Sequence, residues 1–169
     1  MPKVAVIIGS DSDLELIQAC LDQLKEFGIE YELRILSAHR TPEELSKYVA
    51  QLEKRKVKIV IAGAGLAAHL AGAVASQTHL PVIGVPLSGL MGGLDALLST
   101  AQMPGGIPVG TMAVGKPGAK NSAIFAARIL ALSNASLKGK LKKFQLKMKK
   151  NLRGKEKKIL KLQKQRNRD

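Results

Sequence analysis

Six consecutive residues, Ser37-Ala38-His39-Arg40-Thr41-Pro42, place a titratable imidazole, a permanent cation and two hydroxyl groups within one short stretch. Histidine gains and loses a proton near neutral pH. Arginine can bind a phosphate through two parallel N–H donors, and a serine hydroxyl can add a third donor. The stretch therefore predicts a turn that holds an anion and moves a proton.

Two further polar stretches could complete such a site. Gly9-Ser10-Asp11-Ser12-Asp13 leads into a predicted helix, whose first N–H groups favour an anion, and its serines add donors. A carboxylate there suits sugar hydroxyls better than a phosphate, and simple capping of the helix by Ser12 or Asp13 is an equally good explanation.

Gly63-Ala64-Gly65 allows close approach to a flat ligand, or tight packing of the next helix. It lacks the acidic residue about 20 positions later that a nicotinamide site needs, so we predict no such cofactor.

Metal and hydrolase chemistry find no support in the sequence. Cys20 is the single cysteine, and three histidines on separate elements show no paired-ligand spacing. From spacing alone, His69 and His79 are better explained as structural residues. No serine occupies a Gly-x-Ser-x-Gly elbow. One cysteine excludes an internal disulfide, and no leader or membrane span is predicted, so we expect a cytoplasmic protein.

Alternating strands and helices must position these residues. Apolar runs predict five strands, at Val4–Ile8, Tyr31–Leu36, Lys58–Ala62, Val82–Val85 and Val109–Val114. Helical spacing predicts helices from Leu14 to Gly28, from Thr41 to about Arg55, through His69 and Ala73, around Asp95–Ser99, and over Ala119–Leu132. Thr41-Pro42-Glu43-Glu44 matches a capping box. The alternation predicts a doubly wound α/β fold with a parallel sheet, whose loops after the first four strands converge at one edge.

The positive charge is concentrated at the C-terminal end of the chain. Residues 1–136 carry 12 Lys+Arg and 11 Asp+Glu, whereas residues 137–169 carry 15 and 2, so the last 33 residues hold +13 of the net +14. Apolar residues recur from Leu137 to Leu152 at helical spacing, and the pattern weakens beyond Gly154. We therefore predict a catalytic domain over 1–136 and a basic helical extension over 137–169 that is partly disordered. Nucleic acid could bind only through this extension.

Four stretches in the same order closely resemble the N5-carboxyaminoimidazole ribonucleotide mutases of purine biosynthesis, the catalytic-subunit type of phosphoribosylaminoimidazole carboxylase. These stretches are Gly9–Asp13, Ser37–Pro42, Ala62–Leu70 and Gln102–Val109, and the resemblance covers roughly residues 3–135. It implies a flavodoxin-like three-layer αβα sandwich that assembles as a homo-octamer with active sites at subunit contacts. It also implies a reaction without cofactor or metal, in which the N5 carboxylate leaves as trapped carbon dioxide and is recaptured by C4 of the aminoimidazole.

The resemblance also implies a role for each matching residue. His39 corresponds to the general acid/base, Ser10, Ser12, Ser37 and Arg40 to phosphate contacts, Asp13 to the ribose contact, and Ala64, Gly65 and His69 to the wall around the imidazole and its carboxylate. The chain departs from the family pattern at Leu66, where glycine is usual, at Ala71, where proline is usual, and in a Leu87–Leu94 connection that is one residue short.

Two other functions remain open on the sequence. Family members that join free carbon dioxide to aminoimidazole ribonucleotide typically have lysine after the histidine, so Arg40 favours the mutase over that carboxylase. A nucleic-acid-binding protein that acts through its basic extension is the alternative from another class.

Overall fold

The structure is a computed structural model that describes residues 3–166 of the chain. The chain divides into two compact units, one that ends at Leu130 and one that begins at Ala131. The strands of the first unit are β1 (Val4–Ile8), β2 (Tyr31–Ile35), β3 (Ile59–Ala64), β4 (Val82–Pro86) and β5 (Gly110–Thr111). Its helices are α1 (Leu14–Phe27), α2 (Pro42–Leu52), α3 (Leu70–Ala75), α4 (Leu94–Ala101) and α5 (Gly115–Leu130). The second unit contains α6 (Ala135–Arg166).

The five strands form one parallel sheet in the order β2-β1-β3-β4-β5. Helices α2 and α3 pack on one face of this sheet, and α1 and α5 pack together on the other. Every residue of β1 is buried, as its continuous apolar sequence predicts for a strand covered on both faces. The order and the layers confirm the predicted doubly wound fold of flavodoxin-like type.

The strand register aligns the ends of the three strands that precede the candidate site. Ile8, the last residue of β1, lies opposite Ile35 on one side and Gly63 on the other. The loops after these strands therefore emerge at the same edge of the sheet. The strand order reverses between β1 and β3, where doubly wound folds place their ligands.

Three local predictions about the elements were wrong. The capping box at Thr41 does not form, because the Thr41 hydroxyl bonds to the backbone of Ser37 and makes no cap bond to α2. Helix α2 ends at Leu52 instead of about Arg55, and β5 is reduced to two residues. At Thr41, a contact with the preceding turn overrides the local capping signal.

The second unit is a single 32-residue helix that begins after Asn134, whose side-chain oxygen accepts from the N–H of Leu137. The sequence predicts disorder beyond Gly154, but the structure describes helix there as far as Arg166. Lysine, leucine and glutamine are all good helix formers, and this segment has no proline. Residues 167–169 of the predicted extension lie outside the described residues, and the division into domains at residue 136 stays a prediction. Between residues 3 and 166, no helix combines the length and apolar character needed to cross a bilayer.

Candidate active site

A cavity of about 470 Å³ opens at the carboxyl edge of the sheet. Its walls come from the loops after β1, β2, β3 and β4, as the fold topology predicts. The lining residues are Gly9, Ser10, Ser12, Asp13, Ser37, Ala38, His39, Arg40, Ala64, Gly65, Leu66, Ala67, Leu70 and Ser88. Every candidate site residue taken from the sequence is in this set except His69.

The loop after β1 is fixed by reciprocal hydrogen bonds. The N–H of Ser10 donates to Oδ2 of Asp13 at 3.1 Å, and the Ser10 hydroxyl oxygen accepts from the N–H of Ser12 at 3.4 Å. Together these bonds form a capping box on the short 3₁₀ turn that precedes α1. The prediction that Ser12 or Asp13 caps the helix is therefore wrong: Ser10 caps the 3₁₀ turn, and Asp13, at the N-cap of α1, makes no side-chain bond to that helix. Ser12 is exposed at the cavity.

Asp13 is the buried carboxyl group of the site, with 8% of its surface exposed. Burial raises its pKa above the usual aspartate value, although hydrogen bonds from the backbone of Ser10 and Gly9 and the nearby charge of Arg40 oppose that shift. A partly desolvated carboxylate with a free oxygen position accepts hydrogen bonds strongly. Asp13 is thus suited to bind hydroxyl groups of a ligand.

Ser37 organises the turn after β2. Its hydroxyl oxygen accepts from the N–H groups of His39, at 3.4 Å, and Arg40, at 3.2 Å, while its own N–H donates to the Thr41 hydroxyl at 3.0 Å. The hydroxyl proton of Ser37 is not used in these bonds and can still be donated to a ligand. Thr41 therefore stabilises the turn after β2, whereas the sequence pattern predicted that it caps α2.

Arg40 joins the first two loops of the site. Its Nη2 donates to the carbonyl oxygen of Gly9 at 2.6 Å. The guanidinium carries five N–H donors in all, so others can face an anion in the cavity. The exposed position of Arg40 at the rim leaves them accessible. The sequence prediction that Arg40 and the β1 loop lie together is consistent with this bond.

His39 and His69 form a pair across the cavity wall. Nε2 of His39 lies 3.0 Å from Nδ1 of His69, and the two rings are perpendicular with centroids 5.1 Å apart. A hydrogen bond at this distance requires a proton on one of the two nitrogens, so the tautomer of one ring determines that of the other. His69 stands just before α3 and does not line the cavity, but this contact brings its ring beside His39.

The loop after β3 is held against the loop after β4. A Cβ atom on Gly65 would lie 2.4 Å from the carbonyl oxygen of Ser88, so only glycine fits there. The N–H of Leu66 donates to that same oxygen at 2.7 Å. This close approach shows why the glycine is needed, and it brings Ser88, which the sequence analysis did not place in the site, to the cavity.

Leu66 is the unexpected residue of the lining. It adopts a left-handed backbone conformation with φ of 54°, and 61% of its surface is exposed. Left-handed φ strongly favours glycine. The glycine that the family resemblance leads us to expect at this position would adopt this backbone conformation without strain.

Other reactive groups lie away from this cavity. His79 lines a second cavity of about 820 Å³ near the start of β4, at the opposite edge of the sheet. Cys20 is buried, and desolvation raises the pKa of its thiol to about 11, so it is unreactive at neutral pH. Among residues 3–166, no three His, Cys, Asp or Glu side chains are grouped as a metal site would require.

Known proteins resemble this chain over most of its length. The AIR carboxylase family model matches residues 3–151. The N5-carboxyaminoimidazole ribonucleotide mutase of Saccharolobus solfataricus is 56% identical over 85% of this chain and 90% of its own length. The Thermotoga maritima protein of the same name is 49% identical over 90% and 88%. The crystal structure of Treponema denticola PurE matches with a TM-score of 0.82 and 28% identity, over 94% of this chain and 98% of that one. On this evidence, the chain belongs to the AIR carboxylase family.

Proposed function

We propose that the protein is a mutase of purine biosynthesis that interconverts N5-carboxyaminoimidazole ribonucleotide and 4-carboxy-5-aminoimidazole ribonucleotide. The observation that carries the proposal is the cavity at the switch point of the sheet, where His39, Arg40 and four serines meet and where His69 contacts His39. The family membership and the names of the relatives agree with this substrate class.

The phosphate of the ribonucleotide would be bound by Arg40, Ser10, Ser12 and Ser37. Ser12 lies exposed in the turn before α1, where its hydroxyl can donate to a phosphate oxygen. Asp13 would accept hydrogen bonds from the ribose. Because these contacts are remote from the reacting carbon, their binding energy can orient the base for reaction.

The imidazole would lie against Ala64 and Gly65, beside the histidine pair. In the forward direction the bond between N5 and its carboxylate breaks, N5 takes up one proton, and carbon dioxide is released. C4 then attacks carbon dioxide and loses one proton, so the two proton transfers balance. We assign the proton transfer to His39. Nδ1 of His69, which is in hydrogen-bond contact with Nε2 of His39, is a second nitrogen that could accept the proton.

Retention of carbon dioxide between the two steps needs an enclosed, partly apolar site. Ala38, Leu66 and Leu70 supply apolar surface to the cavity. Such surroundings exclude water and slow the loss of a small neutral intermediate. The proposed chemistry requires no metal or organic cofactor.

Purified protein should be incubated with the N5-carboxy substrate and, separately, with aminoimidazole ribonucleotide and bicarbonate, with the C4-carboxylated product measured in both. We expect rapid conversion of the N5-carboxy substrate. Turnover of aminoimidazole ribonucleotide with bicarbonate alone, and none of the N5-carboxy substrate, would instead assign the carboxylase activity.

The role of His39 is tested by His39→Asn, with His79→Asn as the matched control. We expect the first variant to lose at least about a hundredfold in kcat, the usual range for a general acid/base, while it still binds the substrate. The control should keep the rate of the unchanged protein, because His79 lines the other cavity. A near-normal rate for His39→Asn would show that another group transfers the proton.

The assembly and compartment belong to the same proposal. We expect a homo-octamer that acts in the cytoplasm, as the family resemblance implies. Analytical ultracentrifugation of the full chain measures the assembly directly, and a stable monomer or dimer at micromolar concentration would contradict it.

A further inference from the structure

Helix α6 carries most of the net charge of the protein. Its 32 residues contain 14 lysines and arginines and a single acidic residue, Glu156. At 1.5 Å per residue the helix is about 48 Å long. A charge density this high attracts polyanions over several ångströms, and the attraction is screened by salt.

The second half of α6 lies outside the region that the family model matches. That match ends at residue 151, whereas the helix continues to Arg166 with seven more basic residues. Apolar side chains on this half are exposed too, including Leu152 at 70% and Ile159 at 56%. A function of this segment is therefore separable from the candidate active site, which lies in residues 9–88.

The cations of α6 are distributed around a wide arc. At about 100° per residue, the basic residues from Lys138 to Lys161, except Lys155, fall within an arc of about 200°. Leu141, Met148 and Ile159 lie on the remaining side. Basic side chains on two opposite sides of the helix can thus contact negatively charged groups at the same time.

This arrangement favours duplex DNA over other polyanions. Single-stranded nucleic acid is usually bound with aromatic stacking, but the only aromatic residue of α6 is Phe144, which is half-buried. The major groove of double-stranded RNA is too narrow to admit a helix, whereas that of B-form DNA is about 12 Å wide and matches a helix diameter of about 10–12 Å. A lipid surface would need an uninterrupted apolar face, and Lys155 falls within that face.

We propose that α6, chiefly residues 152–166, binds the phosphate backbone of double-stranded DNA without sequence preference. The two rows of phosphates that border the major groove would face the cationic arc. The inference does not depend on the proposed enzymatic function.

The test uses the full chain and a fluorescent 24-base-pair DNA of arbitrary sequence. The variant Arg153→Gln/Lys157→Gln/Lys158→Gln/Lys161→Gln removes four charges of the cationic arc from the segment, and glutamine preserves helix propensity. The matched control, Lys25→Gln/Lys47→Gln/Lys54→Gln/Lys120→Gln, removes four exposed lysines from the first unit. Circular dichroism and urea unfolding verify that both variants are folded.

We expect the unchanged protein and the control to bind the DNA, and the α6 variant to bind at least tenfold more weakly at 50 mM salt. Each lysine or arginine that contacts a phosphate steepens the negative slope of log K against log salt by about 0.9, so loss of four contacts should reduce the magnitude of the slope by up to about 3.6. Equal weakening in both variants, or no binding by the unchanged protein, would overturn the proposal. Tighter binding to single-stranded RNA, double-stranded RNA or phosphatidylserine vesicles than to DNA would overturn it as well.

Discussion

Replacement of Leu66 by alanine and by glycine isolates the cost of its left-handed backbone. At an ordinary position glycine is less stable than alanine by about 0.5–1 kcal/mol, because the unfolded glycine chain has more freedom to lose. With φ of 54°, an alanine at position 66 would keep a strain of about 1–2 kcal/mol that glycine removes. We therefore expect the glycine variant to be more stable than the alanine variant by about 0.5–1 kcal/mol.

The side chain of Leu66 contributes a second, smaller effect. With 61% of its surface exposed, the residue buries about two fifths of what a fully buried leucine does, which corresponds to about 0.8 kcal/mol. Both variants lose that contribution. Leu66→Ala should thus be about 0.8 kcal/mol less stable than the unchanged protein, and Leu66→Gly should be within about 0.5 kcal/mol of it.

Urea unfolding at one fixed protein concentration measures these differences. Lys47, which is exposed within α2, gives the matched control, and there Lys47→Gly should be about 1 kcal/mol less stable than Lys47→Ala. The reasoning fails if Leu66→Ala is as stable as Leu66→Gly while the control pair behaves normally.

Three further substitutions test other contacts. Gly65→Ala should lower substrate affinity at least tenfold by calorimetry, because the new Cβ meets the carbonyl oxygen of Ser88 at 2.4 Å and the loop must move; unchanged affinity would show that the loop adapts. Because the pKa of Asp13 is raised, the folded protein binds a proton at this residue more readily than the unfolded chain does. The stability of the unchanged protein relative to Asp13→Asn should therefore increase as pH falls from 7 to 4. The pKa of Glu32 is shifted in the opposite direction. Burial works to raise this pKa, but hydrogen bonds from Arg55 and Tyr48 outweigh burial and lower it. Stability relative to Glu32→Gln should therefore be lost as pH falls below about 4.5. Denaturation of each variant and of the unchanged protein at several pH values measures both effects. If a variant and the unchanged protein give parallel profiles of stability against pH, the pKa assignment for that residue is wrong.

The sequence was sufficient for the fold class and for the stretches that surround the cavity. Apolar runs such as Val4–Ile8 and helix stops such as Gly28 are local signals, and α1 ends at that glycine in a left-handed conformation. Alternation of strands and helices then leaves few topologies, all of which bring the loops of a parallel sheet to one edge. Ser10, Asp13, Ser37, His39 and Arg40 could be grouped for that reason.

Only the tertiary structure determined how these residues contact one another. The bond between His39 and His69 joins positions 30 residues apart, and it depends on the register of the strands and on where α3 begins. Thr41 matches a helix cap in sequence, but competition from the Ser37 turn decides its partner. The left-handed backbone of Leu66 accompanies its bond to the carbonyl oxygen of Ser88, a contact between two loops that no residue type reveals. Local sequence specifies elements because their hydrogen bonds are local, whereas the geometry of the site depends on distances between loops that only packing fixes.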